Sequence, residues 1–289
     1  MLKKELETAI KLARKAGDKI LEYYSNGFIA EEKIGADNFA EPVTIADRTA
    51  SEIIVSGLQN EFPDDGILSE ELPDTTRRLS KNRVWIIDPL DGTKGFIDKN
   101  GDFAVQIGLA KNGESVLGVV FLPLQNDLYF ASKNSGAFLA KNDENPTKLK
   151  VSDKTEFSEM NLAVSRNHRS NNMNRVVQDF GLKNEIRRGS VGLKIGLITQ
   201  QICDLYIHFS PRTKHWDTCA PEIIIKEAGG KLTDIFGEKI IYNTKDVQNH
   251  NGVLASCGIE AHEKTIKNLK PLLNEFGRLR VVQTKNRKN

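Results

Sequence analysis

Trp85-Ile86-Ile87-Asp88-Pro89-Leu90-Asp91-Gly92-Thr93 is an apolar run that discharges into a turn holding two carboxylates. Pro89 fixes one backbone dihedral and Gly92 tolerates unusual ones, so Asp88 and Asp91 can converge while the Leu90 carbonyl points the same way. With the Thr93 hydroxyl these groups form a set of hard oxygen donors, the kind that magnesium takes at near-octahedral geometry. The same residues also suit an ordinary Asp-Pro, Asp-Gly turn in which each aspartate caps its own backbone, and the segment alone is compatible with both.

Two further acidic features could join it. Leu68-Ser69-Glu70-Glu71 puts paired carboxylates at the end of an apolar segment, and His215-Trp216-Asp217-Thr218 puts an aspartate just ahead of an apolar helical stretch. Taken singly, Glu70 and Glu71 read as solvated loop charges, and Asp217 as an N-cap favoured by the helix dipole. Lys194 and His168 read as plainly as a helix lysine and a loop histidine. Arg212 and Lys214 suit a phosphate, or merely balance nearby charge. Cys219 has no partnered histidine on its expected helix and reads as a small packing residue. No P-loop pattern occurs, which argues against nucleotide hydrolysis of the ATPase kind.

The elements that must position these groups are legible as periods. Leu2, Leu6, Ile10, Ala13, Ile20 and Tyr24 define an amphipathic N-terminal helix, and a second helix is expected from about Ala46 to Leu58, ended by Phe62-Pro63. Gly66 to Ser69 and Val84 to Ile87 read as strands. Phe103 to Ala110, Val116 to Leu122, Leu128 to Ser132 and Ala137 to Ala140, separated by Asn-Gly, Pro and Ser-Gly signals, read as an antiparallel meander. Beyond about residue 158 strands alternate with helices: Asn161 to Ser165, Asn174 to Phe180, Val191 to Gln200, Leu205 to His208, Ala220 to Ala228, Val253 to Ser256 and Glu260 to Phe276. Two α/β lobes sharing a continuous core are expected, with a cleft between them.

Composition bounds the partners. Lys plus Arg number 41 against 39 Asp plus Glu among 289 residues, a net charge of +2, so a nucleic acid is not the expected partner. The tail residues Lys285, Arg287 and Lys288 read as a solvated terminus. Cys203, Cys219 and Cys257 show no paired spacing, which suits a reducing, cytoplasmic setting. There is no apolar run of about eighteen residues, so no membrane span is expected.

In order and spacing, Ser69-Glu70-Glu71, Asp88 to Thr93, and Trp216-Asp217 followed by Gly229-Gly230 resemble the inositol monophosphatase superfamily. Pro42-Val43-Thr44-Ile45-Ala46-Asp47 is similar to that family's upstream acidic motif, and the resemblance runs from the first helix to about Ile259. It implies a layered αβαβα sandwich of the sugar-phosphatase type, with lobes at 1–158 and 159–289 and a metal site between them. It implies that Glu70, Asp88, the Leu90 carbonyl, Asp91 and Asp217 bind about two or three magnesium ions. Asp47, Glu70 and Thr93 would be catalytic, taking the proton from the attacking water. Lithium sensitivity is implied as well.

Leu90 to Phe96, Ser210-Pro211 through Glu222, and Gly229 to Asp234 look like one branch of the superfamily, the 3'(2'),5'-bisphosphate nucleotidases. That likeness implies a small phosphorylated nucleotide, adenosine 3',5'-bisphosphate, as substrate for a monomer or homodimer. Gly92, Thr93, Ser165, His168, Ser190, Lys194 and Asp217 would contact it. Inositol phosphatases usually carry a glutamate seven residues ahead of the last metal aspartate, and Ser210 stands there in this chain. This departure counts against inositol phosphate. A broader sugar-phosphate phosphatase and a non-catalytic metal- or nucleotide-binding protein are the rival readings, and the Thr93 and Asp47 pair argues against the second.

Overall fold

The computed structural model describes residues 2–34, 40–142, 144–166 and 171–282. Helix α1 (Lys3–Asn26) buries Ala9, Leu12, Ala13, Ala16 and Ile20 along one face, the small residues letting its neighbour approach closely. A hairpin of β1 (Ala30–Ile34) and β2 (Ala40–Thr44) follows, and it leads directly into α2 (Ile45–Glu61). Thr44 caps α2: its side chain accepts from Ala46 N at 3.1 Å, and its own N–H donates to Asp47 Oδ2 at 2.7 Å.

The larger sheet has seven strands, β3 (Gly66–Ser69), β4 (Arg83–Asp91), β5 (Ala104–Lys111), β6 (Glu114–Leu122), β7 (Asp127–Ser132), β8 (Ala137–Lys141) and β9 (Thr147–Lys148), and their spatial order equals their chain order. Only β3 and β4 pair in parallel. The short helix α3 (Thr93–Ile97) leaves the end of β4. The smaller sheet contains β10 (Asn161–Ser165), β11 (Asn184–Arg188), β12 (Leu205–His208), β13 (Lys231–Thr233) and β14 (Val253–Ser256) in the order β11-β10-β12-β14-β13. Helices α4 (Asn171–Phe180), α5 (Val191–Thr199), α6 (His215–Glu227) and α7 (Ile259–Glu275) are interleaved with these strands.

Strand β4 shows how the layers form. Trp85 and Ile87 point into a core with α1 and α2, whereas Val84 and Ile86 point into a core that includes Ile195 and Ile198 of α5 and Ile223 and Ile224 of α6. That second core continues to Leu205, Val253 and Leu269, so α5 and α6 lie between the two sheets and α4 and α7 cover the smaller one. The result is the αβαβα sandwich that the resemblance implies. His262 fastens α7 through Thr233 Oγ1 and Ser256 Oγ, each at 2.8 Å. Among the described residues, no helix is long and apolar enough to cross a membrane.

The sequence reading misses the β1–β2 hairpin, β9, β11 and β13. Lys-Glu-rich β1 and the polar edge strand β11 have solvent on enough sides that no apolar alternation is needed. It also starts α6 late. The helix begins at His215 rather than near Ala220, which makes Asp217 its third residue instead of its cap.

Helix α6 rests directly on the larger sheet because Gly118 has no side chain: an added Cβ there would stand 2.4 Å from Ala220 O and 2.8 Å from Ala220 Cα. Gly118→Ala is therefore expected to destabilise the fold by about 1–3 kcal/mol through overpacking. A chemical denaturation midpoint equal to that of the unsubstituted chain would show that α6 does not sit there.

Candidate active site

The larger sheet delivers carboxylates to one end of β4. Asp88 pairs with Gln106, the register then breaks, and Asp91 pairs with Ala104. The bulge over Pro89 and Leu90 turns the chain so that both aspartates serve the same end. Asp88 Oδ1 accepts from Leu90 N at 3.1 Å, so it caps this turn as well as facing the cluster. Parallel pairing of β3 with β4 brings in Glu70, whose N–H donates to Ile87 O at 3.1 Å. Asp217 arrives from the first turn of α6, where Lys214 N donates to its Oδ2 at 2.5 Å. Asp88, Asp91 and Asp217 each offer an oxygen, and these atoms lie within 4.8 Å of one another.

Asp91 is the most firmly held of the three. Its Oδ2 accepts from Gln106 Nε2 at 2.6 Å, from Val191 N at 2.8 Å, from Gly192 N at 3.3 Å and from the Ser190 hydroxyl, so the N-terminus of α5 grips one oxygen while Oδ1 takes none of these bonds. Ser190 also caps α5 by accepting from Leu193 N. Its hydroxyl is buried against Asp91, and Ser190 is not among the residues that line the cleft.

Like charges in a buried place disfavour ionisation. Burial raises the Asp88 carboxyl well above the ordinary aspartate range, and Glu70, Asp91 and Asp217 add to the rise. Asp217 is raised by burial, then by Asp91 and Glu70, and Asp91 is raised by burial against the opposing help of Ser190 and Lys194. Lys33 of β1 reaches across to this edge, donating to Glu70 Oε1 at 3.0 Å and to Glu71 Oε1. Burial, reinforced by Glu70, still pushes Glu71 up to about 7.

Thr93 stands at the start of α3, and its Oγ1 lies 2.9 Å from Asp47 Oδ1 and 3.2 Å from Leu90 O. Asp47 Oδ2 accepts from Thr44 Oγ1 at 2.6 Å in addition to the backbone bond, and burial raises its pKa. Gly92, at φ 95°, is required here because a Cβ would meet Asp102 O at 2.3 Å.

Beside these groups is a cleft of about 250 Å³ lined by Asp91, Gly92, Thr93, Ser165, Lys194 and Asp217 among others. Lys194 is 1% exposed, donates to Gly189 O and lies 5.0 Å from the centre of the Tyr206 ring. Burial pushes its ammonium down to about 8, opposed by Asp91 and Asp217. Ser210, Arg212 and Lys94 also line the cleft, but Lys214 is turned to Glu41 in an ion pair at 2.6 Å. His168 lies outside the described residues.

Two groups escaped sequence reading. Lys33 belongs to a hairpin with no apolar alternation. Asp102 follows an ordinary Asn-Gly turn, yet it is buried and accepts from Arg166 Nε at 2.6 Å and Gly189 N at 2.9 Å, fixing the turn that leads to Ser190. No local signal marks either residue.

A layered sandwich with oxygen donors gathered at a strand end suits a hard divalent cation and a phosphorylated ligand. The family model for the inositol monophosphatase family matches residues 1–273, and the chain belongs to that family of metal-dependent phosphatases. It is 34% identical over 242 residues to the 3'(2'),5'-bisphosphate nucleotidase CysQ of Salmonella typhimurium, covering 83% of this chain and 95% of that protein. It is also 30% identical over 275 residues to the fructose-1,6-bisphosphatase/inositol-1-monophosphatase of Thermotoga maritima, covering 94% and 98%. The crystal structure of CysQ from Bacteroides thetaiotaomicron superposes with a TM-score of 0.73 at 32% identity, covering 89% of this chain and 98% of that one.

The raised carboxyls give a pH test. A folded-state pKa above the unfolded value means that the folded chain holds extra protons; this stability is full below the unfolded value near 3.8 and is lost as pH rises. Glu71 extends the window from 4.5 to about 7. Without a divalent cation the cluster is thus least tolerable at alkaline pH. The gain in melting temperature from magnesium over chelator is expected to widen from about pH 5 to pH 8, comparing both arms at each pH so that other titrations cancel. A gain that is constant or shrinks over that range contradicts the assignment of the cluster as a cation site.

Proposed function

We propose that this chain removes the 3'-phosphate of adenosine 3',5'-bisphosphate, giving AMP and phosphate, with magnesium as its metal. The observation that carries the substrate is the cleft wall: Ser210 stands where a carboxylate would hold inositol hydroxyls, and Lys94, Lys194 and Arg212 supply cationic groups around it. A nucleotide bisphosphate brings a second strongly charged phosphate that needs such partners, whereas inositol phosphate brings neutral hydroxyls. The likeness to two CysQ proteins supports the same choice. The likeness to the Thermotoga enzyme keeps a sugar bisphosphate as the second reading, since cations in the cleft also suit its second phosphate.

Asp88, Asp91, Asp217, Glu70 and the Leu90 carbonyl would hold the ions. Bound there, magnesium neutralises the phosphoryl oxygens and makes water a better nucleophile. The chain's own contribution to proton transfer runs through Thr93. Its Oγ1 gives its proton to Asp47 Oδ1 and is thereby free to accept one from the attacking water. Burial makes Asp47 a stronger base than an exposed aspartate, and the two Thr44 bonds keep its other oxygen fixed. Residues 1–158 thus supply Glu70, Asp88, Asp91, Lys94 and the proton acceptor, and residues 159–289 supply Asp217, Lys194 and Arg212.

Asp91→Asn keeps an acceptor for the α5 donors but removes the charge that faces the ions. Turnover is expected to fall by about a hundredfold or more in a phosphate-release assay while the circular dichroism spectrum is unchanged. Full activity of this variant, or of the unsubstituted enzyme in excess chelator, refutes the metal role.

A substrate panel tests the specificity. The kcat/KM for adenosine 3',5'-bisphosphate is expected to exceed that for inositol 1-phosphate by about tenfold or more, and Lys194→Ala is expected to narrow the ratio mainly through the nucleotide. Equal or reversed preference moves the enzyme to the sugar-phosphate branch. An unchanged ratio in Lys194→Ala removes that lysine from substrate recognition.

A further inference from the structure

A second cavity, of about 340 Å³, opens where the C-terminal half of α6 meets β13 and the segment 239–241. It shares no lining residue with the cleft beside Asp91, and its size falls within the usual range for small-molecule sites. Leu232, Ile240, Ile241 and Ile259 give it apolar walls. Ile259, the first residue of α7, is 62% exposed and extends the apolar wall to the mouth of the cavity.

The charged groups of this cavity are unequal. Lys226, Lys231 and Lys239 line it, and among the described residues none of the three forms an ion pair. Of its two acids, Glu114 is already paired with Lys133 at 3.3 Å. The other, Glu222, is sunk beside Tyr242, whose hydroxyl donates to Glu222 Oε2 at 2.6 Å. Burial pushes Glu222 up to about 7, so its charge is only partly developed at neutral pH and does little to offset three ammonium groups. An apolar pocket with a net positive mouth is complementary to an apolar body that ends in one negative charge.

We propose that this cavity binds a small amphipathic carboxylate, an aliphatic or aromatic acid whose body lies on Leu232, Ile240 and Ile241 and whose head meets Lys226, Lys231 and Lys239. A neutral analogue keeps the apolar contacts and loses the charge-assisted bonds. An amine of the same body is repelled by the three lysines.

Titration calorimetry on the full chain with magnesium, using octanoate, octanol and octylamine as probes, tests this. Octanoate is expected to bind saturably at one site, with octanol and octylamine weaker by about tenfold or more. The double variant Lys226→Gln, Lys239→Gln is expected to lose about tenfold in octanoate affinity, with octanol affinity and phosphate release unchanged. Ile241→Trp, which fills the cavity without touching its charges, is expected to weaken octanoate as well. Binding that is absent up to about 10 mM, equal for acid and amine, or untouched by the lysine variant overturns the proposal. Octanoate binding that is lost in Lys194→Ala and kept in the Lys226→Gln, Lys239→Gln variant would place the acid in the cleft beside Asp91 and overturns it equally.

Discussion

The grip of α5 on one oxygen of Asp91 is the interaction from which the site is built. Asp91 ends a strand of the larger sheet, and the N–H groups of Val191 and Gly192 belong to the helix layer between the sheets. This clasp orients the carboxylate and fixes where α5 begins. It also sets Lys194 about one helical turn inside the cleft wall. Asp102 supports the clasp from below by holding Gly189. A carboxylate held by oriented backbone dipoles keeps its position even when its neighbours repel it.

The neighbours do repel it. Asp88, Asp217 and Glu70 crowd the same end of β4, and the protein's own cations near them are few and restrained. Lys33 is committed to Glu70 and Glu71, Lys214 to Glu41, and Lys194 is buried deeply enough to lose part of its hold on a proton. Internal salt bridges thus leave Asp88, Asp91 and Asp217 with more negative charge than positive around them, the condition that favours a divalent cation.

The sequence disclosed the parts whose physics is local. Trp85 to Ile87 read as a buried strand, and the Asp-Pro, Asp-Gly turn after it allowed two carboxylates to converge. The antiparallel meander from β5 to β8 was legible for the same reason, since each strand pairs with its sequence neighbour, whereas the two-residue β9 was too short to show. What stayed hidden was nonlocal. Nothing near Ser190 states that its hydroxyl is donated to Asp91, and nothing near Asp102 states that it holds Gly189. The hairpin bearing Lys33 has a charged, exposed strand with no apolar alternation to reveal it. Asp217 was found as a motif, but its place inside α6 was not, because the polar Lys214, His215 and Thr218 delay the apolar period of that helix.

The meander also has a consequence in time. Its strands can pair in the order in which they are synthesised, while Asp91 meets Ser190, Val191 and Gly192 across 99, 100 and 101 residues. Closing so long a loop costs entropy that only later contacts repay. On the ribosome, a chain whose N-terminal sheet is complete thus carries Asp88 and Asp91 without their α5 donors or Asp217. The acid cluster is complete only once α5 and α6 have joined the larger sheet, so its completion requires both halves of the chain.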